Sequence, residues 1–373
     1  MGFYEDLGVP TRINAAAYYT ALGGSIMAPE VIAAMNNASR SFISMHELQL
    51  KAGQKIAKLT QNEGAYITTG AAASIVLSIL AFRTKGDIHE IQRIIDGKGA
   101  PSEVIVQTGH RIPYDPAIRL AGSTIVTVGN AVQTFEYELE SAINENTTCI
   151  FFVAGAHLAT PTLPLETVVR IAGKYKVPVV VDAAAQLPPL SNLWHFTKNA
   201  GADLVIFSGG KTFKGPQSTG LILGKSEWIE AIRANGSPFQ RFARAFKVGK
   251  EEIAGITTAV ERYVNHDHAA EFKSWEKVID AWVAALSPIS QLKVLREELN
   301  EAGQPIPRVA IHFPNHTALE VIAELQKLHP IVEVVHDFRN IIWLSADGLQ
   351  EGEESVVLTQ VKLALAKLGF KAP

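Results

Sequence analysis

A single cysteine stands in 373 residues, which excludes an internal disulfide and a cysteine-cluster metal site. Cys149 lies inside the apolar run Cys149-Ile-Phe-Phe-Val153 and reads as a small buried hydrophobe in a reducing, cytoplasmic setting. A basic surplus is also missing. Lys and Arg number 34 against 37 Asp and Glu, a formal charge of -3, whereas nucleic acid and anionic membranes select a cationic excess. No basic stretch followed by an apolar core opens the chain, so no signal peptide is read. The myristoylation pattern fails at Asp6, where Ser or Thr is required. The longest apolar stretch, Ala71 to Phe82, holds two serines and is too short to span a bilayer. Repeats and low-complexity linkers are absent. Hydrophobic residues are 47% and charged residues 19%, a globular composition long enough for one large and one small domain.

What is present is alternation. Runs rich in Val and Ile recur at Glu103–Gln107, Thr124–Val128, Cys149–Val153, Pro178–Asp182 and Leu204–Ser208. Amphipathic stretches lie between them at 134–144, 164–175 and 192–199. Continuous apolar runs fit strands buried on both faces, and their alternation with helices predicts an open α/β sheet, mostly parallel. Thr219–Gly224 follows too soon for a helical crossover and is expected as an antiparallel neighbour. A long helical region is expected from Lys250 to about Leu286, broken by Pro288. Strands at 308–313, 331–335 and 340–344, with helices at 317–328 and 353–368, predict a smaller α+β domain. The expected division is an N-terminal arm and helix over 1–50, a large domain over 51–287 and a small one over 288–373.

Four segments carry chemistry. In Val205-Ile-Phe-Ser-Gly-Gly-Lys-Thr-Phe-Lys-Gly-Pro-Gln217 a buried strand ends at Ser208, two glycines allow a turn, and Lys211 is presented at the carboxyl edge, where open α/β sheets place ligands. Desolvation there lowers an amine's pKa and suits it to Schiff-base chemistry. A phosphate-binding P-loop is a poorer reading, because Val205 stands where that pattern needs glycine; a plain surface lysine is the other alternative. Asp182 ends the apolar run Val179-Val-Val-Asp182, and a carboxylate so placed is costly without a partner such as a protonated pyridine nitrogen. A helix cap or loop acid is its bland alternative. Thr68-Thr-Gly-Ala-Ala-Ala-Ser74 opens a helix with small residues and bare N–H groups, an anion site weak as a signal by itself. His110, in Gly109-His-Arg111, follows a strand and is suited to stacking on a ring, although a lone loop histidine is often incidental. His266 and His268, two apart, would splay to different faces of a helix, so no metal is read there.

The order Gly70, His110, Asp182, Lys211, with separations of 40, 72 and 29, resembles the fold-type I pyridoxal-phosphate (PLP) enzymes, the aspartate aminotransferase superfamily. Within it the chain is similar to the branch related to bacterial selenocysteine synthase (seryl-tRNA selenium transferase), nearer still to the D-glucosaminate-6-phosphate ammonia-lyases. The segments that carry this are Ile13-Asn-Ala15 with Leu22-Gly-Gly-Ser25, Gly109-His110, Val181-Asp-Ala-Ala-Ala185, Ser208-Gly-Gly-Lys-Thr-Phe-Lys-Gly-Pro216 and Arg244-Ala-Phe-Lys-Val-Gly-Lys250. The selenium transferase itself fits less well: it carries an extra N-terminal region for tRNA, for which no room is seen, and the charge argues against a tRNA substrate.

The resemblance implies PLP on Lys211 as a Schiff base, Asp182 at the ring nitrogen and His110 on the ring. It places Thr69, Gly70, Ala71, Ala72, Ala184 and Ser208 around the cofactor and its phosphate. It implies a seven-stranded sheet and a homodimer or a multiple of it. The basic segment Arg241, Arg244, Lys247, Lys250 then reaches the cofactor phosphate or an anionic substrate, within the subunit or across the interface; the alternative is a solvated helix face. Arg308 is expected to clamp the substrate carboxylate, with Arg12 as competitor. The implied reaction is ammonia-releasing dehydration of a β-hydroxy amino acid, sugar-derived acids included, to a 2-oxo acid. Racemisation, aldol cleavage and transamination share its carbanion, and a non-catalytic PLP- or phosphate-binding member is the alternative of another class.

Overall fold

The computed structural model describes residues 2–314, 317–337 and 339–370. They form two units: a large one of Gly24–His266 with Ala302–Gln304, and a small one of Met1–Gly23, Asp267–Glu301 and Pro305–Pro373.

The large unit is built on a seven-stranded sheet. Its strands are β1 (Gly64–Thr68), β2 (Glu103–Gln107), β3 (Thr124–Val128), β4 (Thr147–Val153), β5 (Val179–Asp182), β6 (Leu204–Ser208) and β7 (Gly220–Gly224), in the spatial order β1-β7-β6-β5-β4-β2-β3. The five from β6 to β3 are parallel, and β7 runs antiparallel to both β6 and β1. The strands expected from the apolar runs form within two residues of their expected bounds; the central runs are buried on both faces, while Thr124–Val128, at the edge of the sheet, is half exposed. β1 is not announced by the sequence. Its apolar stretch is only Ala65, Tyr66 and Ile67, too short to stand out, yet all three are buried.

Helices α1 (Pro29–Ala38), α2 (Met45–Leu59), α3 (Ala71–Thr84) and α4 (Lys250–Val264) cover the sheet. α3 is buried almost all round, which is why its sequence reads as one apolar block without amphipathic period. α1 and α2 pack on α4, with Val31 and Ile56 joining Ile253 and Ile256 in one core. Residues 24–50 therefore group with the large unit instead of forming an arm of their own.

The expected long helix from Lys250 is two helices. α4 ends at Val264, and α5 (His268–Leu286) starts afresh, its first turn capped by Asp267 Oδ1, which accepts from the Ala270 N–H at 2.9 Å. His266 and His268 thus flank a helix junction and do not share one helix. α5 belongs to the small unit, burying Trp275, Ile279, Trp282 and Leu286 in its core.

That unit carries a four-stranded antiparallel sheet of β8 (Lys293–Glu297), β9 (Arg308–His312), β10 (Val335–Asp337) and β11 (Ile341–Ser345), in the order β10-β11-β9-β8. The run expected as one strand over 331–335 is divided. Ile331–Glu333 pairs in parallel with Arg12–Asn14, while β10 turns to the larger sheet. α6 (Ala318–Leu325) and α7 (Glu353–Lys367) complete the unit. Among the described residues no helix is long and apolar enough to cross a membrane.

Candidate active site

β1 is antiparallel to β7, and β7 to β6, so β1 points the same way as the parallel strands. The carboxyl ends of β1, β2, β4, β5 and β6 therefore lie along one edge of the sheet. That edge gathers Thr69 to Ala72, His110, Asp182 with Ala184, and Ser208 with Lys211, all within the large unit.

Asp182 and Lys211 follow adjacent strands, about 4.8 Å apart in a sheet, with Asp182 in register with Ile206 of β6. Asp182 is 6% exposed, and its Oδ1 accepts the Ala184 N–H at 3.0 Å, closing a tight turn where a helix cap was the alternative. Burial raises its pKa from the usual carboxylate value; the Ala184 N–H and the Lys211 ammonium pull the other way and do not offset burial. The carboxylate is thus under-compensated and suited to a further cationic partner.

Lys211 is half-buried in an irregular loop leading to β7, not at a helix start, so the P-loop reading fails in geometry as well as pattern. The two glycines before it are required by close approach, not by left-handed backbone. A Cβ on Gly209 would overlap the Thr219 hydroxyl, and one on Gly210 would lie 2.5 Å from the Gln217 Cα. The Gly210 carbonyl accepts the Ser25 N–H at 2.9 Å, which gives the Leu22-Gly-Gly-Ser25 motif a structural task beside the lysine loop. Phe213 anchors the loop in the core against Phe207 and Tyr263.

Gly70 caps α3 at φ +133°, a conformation side-chain-bearing residues rarely adopt, and a Cβ there would meet open space. Ser74 donates its N–H to the Gly70 carbonyl as the first intrahelical bond, so the N–H groups before it have no acceptor within the helix. Gly220 lets this turn approach, since its Cβ would fall 2.5 Å from the Gly70 carbonyl carbon.

His110 is 1% exposed and packs edge-on to Phe152, ring centroids 4.3 Å apart. Burial lowers its pKa to about 4, so the imidazole is neutral, and its Nδ1 is a buried atom without a hydrogen-bond partner.

The cations depart from expectation. Arg308 is buried and its fork is filled: Nε and Nη2 bond Glu297 Oε2 at 3.0 and 2.8 Å, and the guanidinium stacks on Trp343 at 4.6 Å. Nη1 lies 3.8 Å from Glu301 Oε2, so the guanidinium is already ion-paired within its own unit. Arg12 is occupied likewise, by Glu333 and by Gln326 at 2.7 Å. The basic segment does not form one helical face, because Phe242–Phe246 is a 3₁₀ turn, Lys247 is extended, and only Lys250 begins α4. Arg241 bonds the Ala234 carbonyl and covers Phe239, and Lys250 pairs with Glu251. Arg244 and Lys247 are exposed, and neither forms an ion pair among the described residues.

Sequence reading missed Phe152 as the ring behind His110. It also missed Gln186, Thr212 and Gln304, whose side chains tie the edge loops together and whose polar types carry no pattern in one dimension.

A family model described as L-seryl-tRNA selenium transferase matches residues 13–304. D-glucosaminate-6-phosphate ammonia lyase of Salmonella typhimurium (strain 14028s / SGSC 2262) is 35% identical over 313 residues, 83% of this chain and 81% of that protein. The solved structure of a D-glucosaminate-6-phosphate ammonia-lyase matches with a TM-score of 0.83 and 30% identity, covering 98% of this chain and 99% of that one. 5'-C-glycyluridine monooxygenase-decarboxylase of Streptomyces sp is 35% identical over 377 residues, 97% of this chain and 92% of that protein. A serine palmitoyltransferase structure with PLP bound, at 15% identity and a TM-score of 0.64 over 96% of this chain and 88% of that one, shares the fold alone. The fold is that of the fold-type I PLP enzymes.

Proposed function

The chain belongs to the L-seryl-tRNA selenium transferase family, and from that premise we propose that Lys211 bonds PLP, that Asp182 holds its ring nitrogen, and that the edge around them releases ammonia from a hydroxylated amino acid. The cofactor is pyridoxal 5'-phosphate and the enzyme is of the ammonia-lyase type. The observation that carries the site assignment is the under-compensated buried carboxylate of Asp182 beside the Lys211 ammonium.

The residues fit the cofactor. A buried acid with raised pKa accepts a pyridinium partner, which restores its charge balance. The N–H groups of Ala71 and Ala72 at the helix start, the open space over Gly70 and the Ser208 hydroxyl suit a phosphate, with Thr69 and Ala184 as further proposed cofactor contacts. His110, neutral and fixed by Phe152, packs on the ring face without adding charge. When bound, PLP supplies an electron-withdrawing ring that stabilises negative charge at the substrate Cα. Asp182 would keep the ring nitrogen protonated, and the Lys211 amine, freed once the substrate amine takes its place, would remove the Cα proton as general base. Small residues at 70–72 let the phosphate reach the backbone.

The favoured substrate is a 2-amino acid with a hydroxyl on Cβ and a sugar-like chain, such as D-glucosaminate 6-phosphate. The net reaction loses the Cβ hydroxyl as water, regains water at Cα, and gives a 2-oxo acid and ammonia. Arg244 and Lys247 are the proposed contacts to the substrate's anionic end, since Arg308 and Arg12 are engaged within the small unit. We infer a homodimer in which this exposed segment serves the partner's site, and a reducing cytoplasm, which suits the lone buried Cys149.

A second reading, oxygen-dependent decarboxylation, is favoured by the 97% of this chain that aligns with the Streptomyces enzyme. Purified protein should be yellow, and borohydride reduction followed by peptide mass analysis should find the cofactor on Lys211. Lys211→Ala should be colourless. D-glucosaminate 6-phosphate should then yield ammonia and a 2-oxo acid without oxygen uptake. Oxygen uptake with carbon dioxide release from 5'-C-glycyluridine would favour the second reading instead.

A further inference from the structure

Three residues, Ala302–Gln304, belong to the large unit although the chain on either side belongs to the small one. They dock at the carboxyl edge through buried polar groups. Gln186, 8% exposed, donates its side-chain N–H to the Ala302 carbonyl at 2.9 Å. Gln304, 6% exposed, donates its own to the Leu187 carbonyl. Gly303 sits between them at φ +74°, and a Cβ there would lie 2.8 Å from the Ala156 nitrogen and 2.9 Å from the His157 nitrogen. The strap therefore lies flush on the loop that follows β4, in a backbone conformation that favours glycine.

The Leu187 carbonyl has a second donor, the Thr212 hydroxyl at 2.6 Å. Thr212 is the residue after Lys211, and Leu187 follows the turn after Asp182, which the Gln186 N–H closes on the Ala183 carbonyl at 3.0 Å. One carbonyl oxygen thus has both lone pairs taken, by the lysine loop on one side and by the strap on the other. We infer that Gln304 and Thr212 are positioning residues that lock the Asp182 turn to the Lys211 loop through this shared acceptor. Neither turn is part of a helix or strand at this point, and beyond the Ala183 N–H bond to the Ile206 carbonyl at 2.9 Å these side-chain bonds join them. Removing one donor leaves a buried carbonyl under-satisfied and frees one loop to move against the other.

The inference rests on the reading that Lys211 and Asp182 grip PLP, but its first test does not. Hydrogen exchange of the apoprotein should quicken at 183–187 and at 209–215 in Gln304→Ala and in Thr212→Val, which keeps the shape of threonine. Thr212→Ser, which keeps the hydroxyl, should exchange like the parent. PLP titration followed by visible absorbance should show at least tenfold weaker binding and a displaced pH midpoint of the bound chromophore in the two donor-less variants, with recovery in Thr212→Ser. Parent-like exchange, affinity and midpoint in both donor-less variants overturn the inference, and so does Thr212→Ser behaving as Thr212→Val does. If Gln304→Ala does not fold, the Thr212 pair decides. If the parent takes up no PLP, the cofactor reading fails while the exchange rates still judge the lock.

Discussion

Replacing Asp182 by asparagine separates two consequences of burying a carboxylate. Without cofactor, the folded state holds this acid at 6% exposure with its pKa raised by desolvation. A raised folded pKa means the folded protein binds the proton more tightly than the unfolded chain. Above the folded pKa the carboxylate therefore opposes folding, and the penalty fades as pH falls through that value. Each unit of elevation corresponds to about 1.4 kcal/mol. The amide is neutral and nearly isosteric with the acid, so the Asp182→Asn apoprotein should melt higher than the parent at pH 7, by about 2–4 °C for each kcal/mol relieved. The half-buried Lys211 loses its neighbour but keeps contact with water, so its cost is smaller.

With cofactor the sign reverses. Breaking a buried ion pair by removing one partner costs about 3–5 kcal/mol, so PLP affinity should fall by roughly 10² to several times 10³-fold. Calorimetry of apo and PLP-saturated protein reads both effects, because the cofactor's stabilisation grows with the logarithm of its free concentration over Kd. A variant apoprotein less stable than the parent, together with an undiminished PLP-induced shift, would refute the argument that this carboxylate is held uncompensated for a cationic ring.

His110 is neutral with a folded pKa of about 4 against an unfolded value near 6.5, so its contribution to stability is full above about 6.5 and falls by roughly 1.4 kcal/mol per pH unit toward 4. His110→Phe should flatten that slope in urea titrations, and a parent-like slope would contradict it. Gly220→Ala forces a methyl against the Gly70 carbonyl, so it should destabilise by about 1–3 kcal/mol and weaken PLP binding more than binding of the phosphate-free aldehyde; equal losses for both would move the phosphate elsewhere. Arg308→Lys exchanges a stacked guanidinium with two bonds to one Glu297 oxygen for a point charge and should cost about 1 kcal/mol in urea unfolding, Glu297 being partly exposed. The substrate KM should stay within twofold, and a tenfold rise would place Arg308 in the substrate site. Cys149, its thiol pushed up by burial, should stay unmodified by alkylating reagents until the protein unfolds.

Much of this was written in one dimension. Val179-Val-Val-Asp182 and Leu204-Val-Ile-Phe-Ser208 announce themselves, because a strand buried on both faces must be apolar throughout and a polar residue marks where it emerges. The glycines before Lys211 and at Gly70 mark where backbone must pass close or adopt an unusual angle. Such constraints act locally, and local constraints select residue types that can be read in order. Partnership is different. That Arg308 spends its fork on Glu297, that Phe152 backs His110, that α5 leaves the helix before it to join another core, and that Thr212 and Gln304 meet at one carbonyl all depend on residues brought together from distant parts of the chain. A hydrogen bond or ion pair needs its partner within about 3 Å, and spacing along the sequence carries no such distance. The chemistry available at the sheet edge was therefore legible from residue types, while which groups are already engaged was decided by the packing.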